Sequence, residues 1–351
     1  MLIKSRYSLV ELLLWTRWET LVFLLLGGGV TALHHLAGFN FLQLPWAPIA
    51  IIGTAVAFII GFQNNAAYGR IWEARKIWGG IVNVSRSFGF KVNEMITAEH
   101  APGEVGAEEL RREKRVLIER HVAWLTALRY AMRQPKPWEM FENHRTNREW
   151  SAKVCIPERR IPLLEELAPL LSEEERAVVG SRGNASTTLL FLQSKHLREL
   201  KERGLVWEFS FLELENVLHE LVALQGKSER IKNFPYPRQY ATLSHFFVWL
   251  FLLLLPFAAI PEFANVATRI AEAWPAVAPH FVWAAVPFCT MVSWVFHTME
   301  RIGRVGENPF EGSANDVPIS TIARGIEIDL RQQFAFEPIP EQIPALFDVQ
   351  M

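Results

Sequence analysis

Residues 44–86 read LPWAPIAIIGTAVAFIIGFQNNAAYGRIWEARKIWGGIVNVSR, and they change character halfway. Pro48 to Phe62 carries no charge and almost no polar group, whereas Arg70, Trp72, Glu73, Arg75, Lys76, Trp78 and Arg86 crowd the second half. No proline follows Pro48, so nothing breaks a single long helix passing from an apolar environment into water. Thr54, Phe58 and Phe62 are spaced i, i+4, i+8 and fall near one helical face. Two readings fit that face. Its aromatics pack against other helices or lipid, or they form a ring of phenyl groups narrowing a pore, where poor wetting can act as a gate. Gln63, Asn64 and Asn65 follow, and amides at the end of an apolar span need partners or water. They suit the hydrated mouth of a channel, and equally a transition from helix to interface.

Outward from this stretch, the distribution of charge decides more than composition does. The chain has 351 residues, a formal net charge of -1 and 50% hydrophobic residues, values that a soluble protein could share. Yet Thr20 to Gly69 contains no Asp, Glu, Lys or Arg, and neither does Ala241 to Pro261 nor Ala273 to Met299. A helix crossing a bilayer needs about 20 largely apolar residues. The first run therefore fits two spans and each later run one, giving four transmembrane helices. Lys4, Arg6 and Arg17 precede the first span, Arg70, Arg75 and Lys76 follow the second, and Arg301 and Arg304 follow the fourth. The loop at Gly38 to Leu44 has no basic residue, and that between spans three and four has only Arg269. This bias places both termini and the large charged segment in the cytoplasm. Glu11, Arg17 and Glu19 interrupt the early apolar residues, so the N-terminus does not read as a cleavable signal.

The expected organisation is an N-terminal amphipathic helix over 1–19, spans one and two over 20–69, a helical cytosolic domain over 70–239, spans three and four over 240–299, and a cytosolic C-terminal segment over 300–351. Span one runs to Leu42. Span four, about Ala276 to His297, contains Pro287, which should kink it unless neighbours satisfy the freed carbonyl. In the charged domain, Glu108 to Arg133 reads helical with a solvated charge run, EELRREKR. Ser172 to Glu175 is a capping box. In Val206 to Gly226, Trp207, Phe211, Leu214, Leu218 and Leu221 make one apolar face, and Gly226 reads as the helix stop. Cys155 and Cys289, one in the soluble part and one in span four, are expected to be reduced.

Asn64-Asn65, Tyr68, Arg70, Trp72, Glu73, Arg75, Trp78-Gly79 and Ile81 to Arg86 resemble the signature of prokaryotic bestrophins. A second motif at Ser228-Glu229-Arg230-Ile231 to Phe234-Pro235-Tyr236-Pro237 and a third at Glu307-Asn308-Pro309-Phe310 extend the resemblance over essentially the whole chain. It implies an all-helical homopentamer around a central pore in the cell inner membrane. Its neck falls on Thr54, Phe58 and Phe62, with Thr54 departing from the usual apolar residue. A cytosolic constriction is placed on Phe209. Animal members are calcium-activated chloride channels, while the prokaryotic branch resembles monovalent cation channels. In calcium-activated members the segment after span four carries a run of acids that clasps Ca²⁺. Here only Glu307, Glu311 and Asp316 remain, too few for the six to eight oxygens that Ca²⁺ prefers. No high-affinity calcium switch, metal or cofactor is expected.

The leading reading is thus a pentameric channel for small monovalent ions, with lipid and its own copies as partners. Two alternatives are a non-conducting membrane adaptor and a haem-binding redox protein using His34, His35, His245, His280 or His297. No phosphate-binding loop, zinc-spaced cluster or nucleophile motif suggests an enzyme, and the balanced charge gives no nucleic-acid signal.

Overall fold

The structure is a computed structural model that describes residues 1–351 except Asn40, Leu42 and Cys155. The described residues form helices joined by short turns, with three isolated β-bridges and no strand. Leu9–Trp15 (α1) starts on a Ser8 capping box, and Arg17–His35 (α2) follows after a break at Thr16. Trp46–Met95 (α3) is 50 residues long, about 75 Å at 1.5 Å per residue. The charged domain holds Ala107–Arg133 (α4), Arg145–Ser151 (α5), Leu163–Glu166 (α6), Glu173–Gly180 (α7), Ala185–Glu202 (α8) and Glu208–Asn233 (α9). Arg238–Ile270 (α10), Ala285–Gly306 (α11) and Ile319–Gln333 (α12) complete the chain.

The organising helix is α3. Pro48 sits in its first turn, where a missing N–H costs nothing, and no later proline interrupts it. One of its faces is buried from end to end, through Ile49, Gly53, Val56, Ile60, Gln63, Ala67, Ala74, Trp78, Ile81, Phe88 and Val92. The first half of that face packs on α10 and α11, the second half on α9, α12 and α4. Of the apolar clusters among the described residues, α3 contributes to two. One joins Phe23, Val56, Ile60, Phe251, Leu255 and Cys289, and the other joins Trp78, Phe88, Leu117, Trp124, Leu214 and Leu221.

Among the described residues three helices are long and apolar enough to cross a membrane: α3, α10 and the run Ala278–Gly306 that contains α11. The fourth expected span, α2, has 19 residues but carries Arg17 and Glu19 in its first turn and His34 and His35 in its last. It ends at His35, short of the expected Leu42, which lies outside the described residues. Pro287 falls in the first turn of α11 after a 3-10 stretch, Ala278–Ala284, so the expected kink is not required. Helix α10 runs on past the expected end at Ile260, through Pro256 and Pro261.

In the charged domain, α4 and the Ser172 capping box appear as the spacing predicts. Gly226 does not stop α9, which continues to Asn233. Leu224, Gln225, Ser228, Ile231 and Lys232 extend its buried face beyond the glycine. Trp207 departs from the expected apolar face: it is the N-cap and stands exposed. The charge run of α4 is not wholly solvated, because Glu113 is buried, taking Arg203 Nη1 at 2.7 Å and meeting His196 Nε2 at 2.9 Å. Cys289 is buried and free, while Cys155 lies outside the described residues.

Candidate functional site: the uncovered face of α3

Opposite its buried row, α3 carries an uncovered one. Thr54, Phe58, Phe62, Asn65, Tyr68, Trp72, Lys76, Asn83 and Phe90 are all exposed. Phe58 and Phe62 are 66% and 74% accessible, at the same turns where Val56 and Ile60 are sealed. Thr54 Oγ1 donates to the Ala50 carbonyl of its own helix at 2.9 Å, so its one hydrogen is already used. The row therefore begins apolar, turns polar at Asn65 and ends among charges. Tyr68 and Trp72 stack with ring centroids 6.3 Å apart.

The three amides expected at a pore mouth separate. Gln63 continues the buried row of Val56 and Ile60, accepts from Ser244 Oγ at 2.6 Å and donates to Glu307 Oε1 at 3.2 Å. Asn64 is half-buried against Gly303, and its Oδ1 has no hydrogen-bond partner among the described residues. Asn65 alone shares the side of Phe58. The sequence shows three adjacent amides, and only the helical turn tells them apart.

Gln63 belongs instead to a joint that brings three motifs together. Arg70 Nε donates to the Glu307 carbonyl at 2.7 Å, and its Nη2 donates to the carbonyls of Ile231 at 2.9 Å and Phe234 at 3.0 Å. Arg238 Nη2 donates to Glu307 Oε2 at 2.6 Å. Burial raises the Glu307 carboxyl above its usual range, against the opposing pull of Arg238. The joint fixes α3 to the ends of α9, α10 and α11 just beyond the apolar segment.

The other two acids expected near α11 are also engaged. Asp316 Oδ2 accepts from the backbone N–H groups of Gly312 at 2.7 Å and Ser313 at 3.0 Å, and the Ser313 hydroxyl donates to Oδ1. Arg133 Nη1 stands 3.9 Å from the same carboxylate and donates to the Phe310 carbonyl. Glu311 Oε1 accepts from Met140 N and Asn308 Nδ2, each at 3.1 Å. Burial, then the charges of Asp316 and Glu139, push the Glu311 carboxyl up to about 9. Among the described residues no group of three or more His, Cys, Asp or Glu is arranged to hold a metal ion.

Phe209 lies in the first turn of α9, 62% exposed, with its ring 4.7 Å from that of Trp207. Lys91 Nζ reaches Glu213 Oε2 at 2.6 Å, so the start of α9 lies beside the far end of α3. At 1.5 Å per residue, that end is about 50 Å along α3 from Phe58. Tyr68, Trp72 and Phe90 also belong to this row, which the sequence alone does not make plain. Their spacing from Phe58 was the available signal, hidden because aromatics among charges read as ordinary packing.

The chain matches the family profile described as Bacterial/Fungal Bestrophin protein over residues 11–332. It is similar to the voltage-dependent anion channel-forming protein YneE of Salmonella typhi, 26% identical over 346 residues, covering 93% of this chain and 95% of the relative. The YneE protein of Escherichia coli K12 is 26% identical over 312 residues, covering 86% and 84%. Among solved structures, a bacterial bestrophin homologue from Klebsiella pneumoniae superposes with a TM-score of 0.67 at 22% identity, over 92% of this chain and 99% of that one. That structure shares the fold.

Proposed function

Because the chain belongs to the bacterial/fungal bestrophin family, we propose that it is one subunit of an ion channel, with the uncovered face of α3 turned toward a shared axis. The observation that carries this reading is the pair Phe58 and Phe62, exposed beside a sealed face of the same helix. One helix cannot enclose a path, and a closed ring of identical subunits is the economical way to complete one. Five copies is the number the family resemblance implies. Thr54, Phe58 and Phe62 then form the neck, Asn65 its hydrated end, and Phe209 a second constriction near the far end of α3. Helix α2 crosses the membrane as the fourth span, braced by α10 and α11, and the charged domain lies in the cytoplasm.

The permeant species are small monovalent ions. Relatives are named as anion channel-forming proteins. Phenyl rings carry no charge and do not choose the sign, so selectivity belongs to the charged vestibules. Reversal potentials of the purified protein in asymmetric KCl read that sign. The engaged state of Glu307, Glu311 and Asp316 supports a channel without a high-affinity calcium switch. Micromolar Ca²⁺ binding by calorimetry, lost in Asp316→Ala, would overturn this.

The channel reading is tested by single-channel recording in planar bilayers. Phe58→Ala and Phe62→Ala should give larger or more persistent currents, because a wider throat hydrates more easily. Unchanged currents in both variants, or a silent wild type that nonetheless forms a stable oligomer, would contradict it.

A further inference from the structure

The junction of α1 and α2 has a pinned inner side and a free outer side. Arg301, fully buried, stacks on Trp15 at 4.1 Å and donates to the Trp15 carbonyl at 3.0 Å and to Glu19 Oε1 at 3.1 Å. Trp15 Nε1 donates to Asn147 Oδ1 of α5 at 2.8 Å, and Trp294 Nε1 donates to the buried Thr16 hydroxyl at 2.8 Å. These contacts tie the junction to α11 and α5. Among the described residues nothing covers the other side. Helix α1 has no buried residue, and Leu14, Trp18, Leu21 and Leu25 continue one exposed apolar row from α1 onto α2.

At Trp18 this row meets positive charge. The Arg145 guanidinium lies 4.4 Å from the Trp18 ring and that of Arg17 lies 5.7 Å from it. Both arginines share one carboxylate, Glu149, so two positive charges face a single negative one. Arg148, on the next residues of α5, is also exposed. The Arg145 side chain is 65% exposed, with donors free to turn outward. An aromatic ring near two guanidinium groups, on an exposed apolar row, has the chemistry of a membrane–water boundary.

We infer that Trp18, Arg145 and Arg17 form a seat for the phosphate of an anionic phospholipid, whose acyl chain lies along Leu21 and Leu25. The argument is charge complementarity joined to an apolar track. A phosphodiester supplies the missing negative charge and accepts in the fork geometry of a guanidinium. The lipid comes from the leaflet on the side of the charged domain. This inference rests on the proposal that α2 crosses the membrane. It does not depend on conduction.

The test is native mass spectrometry of the full-length protein in neutral detergent, with phosphatidylglycerol or phosphatidylcholine added. Wild type should retain phosphatidylglycerol preferentially. Arg145→Gln should lose about fivefold of that preference, the scale expected for one basic residue at an anionic surface. Circular dichroism of Arg145→Gln should show the helix content of wild type, and Trp18→Leu should also weaken retention. Added inorganic phosphate should not raise the melting temperature of wild type, whereas phosphatidylglycerol should. No preference in wild type, equal retention by Arg145→Gln, or equal stabilisation by inorganic phosphate would each overturn the assignment. Because bilayer currents are read separately, a channel that conducts without this preference refutes the lipid seat alone.

Discussion

Glu311 is a carboxyl enclosed with Asp316 and Glu139 nearby, so it keeps its proton in the folded protein up to about pH 9. In the unfolded chain it ionises near its ordinary value of 4.5. Between those values the folded chain binds more protons, so this group's contribution to stability falls as pH rises from about 4.5 to about 9. Glu311→Gln should flatten that slope, which melting temperatures in detergent at a series of pH values would read. An unchanged slope would mean that the carboxyl is ionised at neutral pH. Arg301 makes the opposite case. Its guanidinium donates to Trp15, Glu19, Thr146 and Asn147 from a fully buried site. Arg301→Ala should cost about 3–5 kcal/mol, the scale for removing one partner of a buried charged network. Arg301→Lys should not restore it, because an ammonium lacks the planar fork that reaches several acceptors while stacking on an indole. Thermal unfolding of both variants checks this.

Helix α3 is held by close approach as well as by length. A Cβ added at Gly53 would stand 2.7 and 2.9 Å from the Phe251 ring of α10, whereas one at Gly61 meets nothing within 4 Å among the described residues. Gly53→Val should therefore destabilise the protein by about 1–3 kcal/mol through overpacking. Gly61→Ala is harmless within one subunit, so any loss of oligomer in that variant reports a neighbour close to that face. Size-exclusion profiles and melting curves of the two variants separate the effects. The length of α3 was legible because it follows from a local fact, the absence of proline after Pro48. The stop proposed at Gly226 failed because packing beyond it, at Ser228 and Ile231, overrides a weak local preference. Gln63 was misplaced for a similar reason. Its amide was plain in the sequence, but its partners Ser244 and Glu307 lie 181 and 244 residues away.

At the scale of the whole molecule, the charge-free runs and the three motifs were enough to point to an all-helical membrane protein of one family. They did not reveal that Arg70 and Glu307 draw those motifs into a single joint, since that depends on how four helices meet. Nor did they reveal that Arg133 would be buried beside Asp316. Among the described residues no other helix covers Phe58 and Phe62 on α3, and the proposed assembly would cover them. The most direct test places one cysteine per subunit at position 58 in a Cys155→Ser, Cys289→Ser background. The protein is oxidised in lipid bilayers, with Leu25→Cys as the outward-facing control. If Phe58 faces a shared axis, Phe58→Cys gives disulfide-linked pairs of subunits and Leu25→Cys does not. Monomers only at position 58, together with its labelling by a lipid-dissolved maleimide, would show that the phenyl row faces the membrane and not a pore.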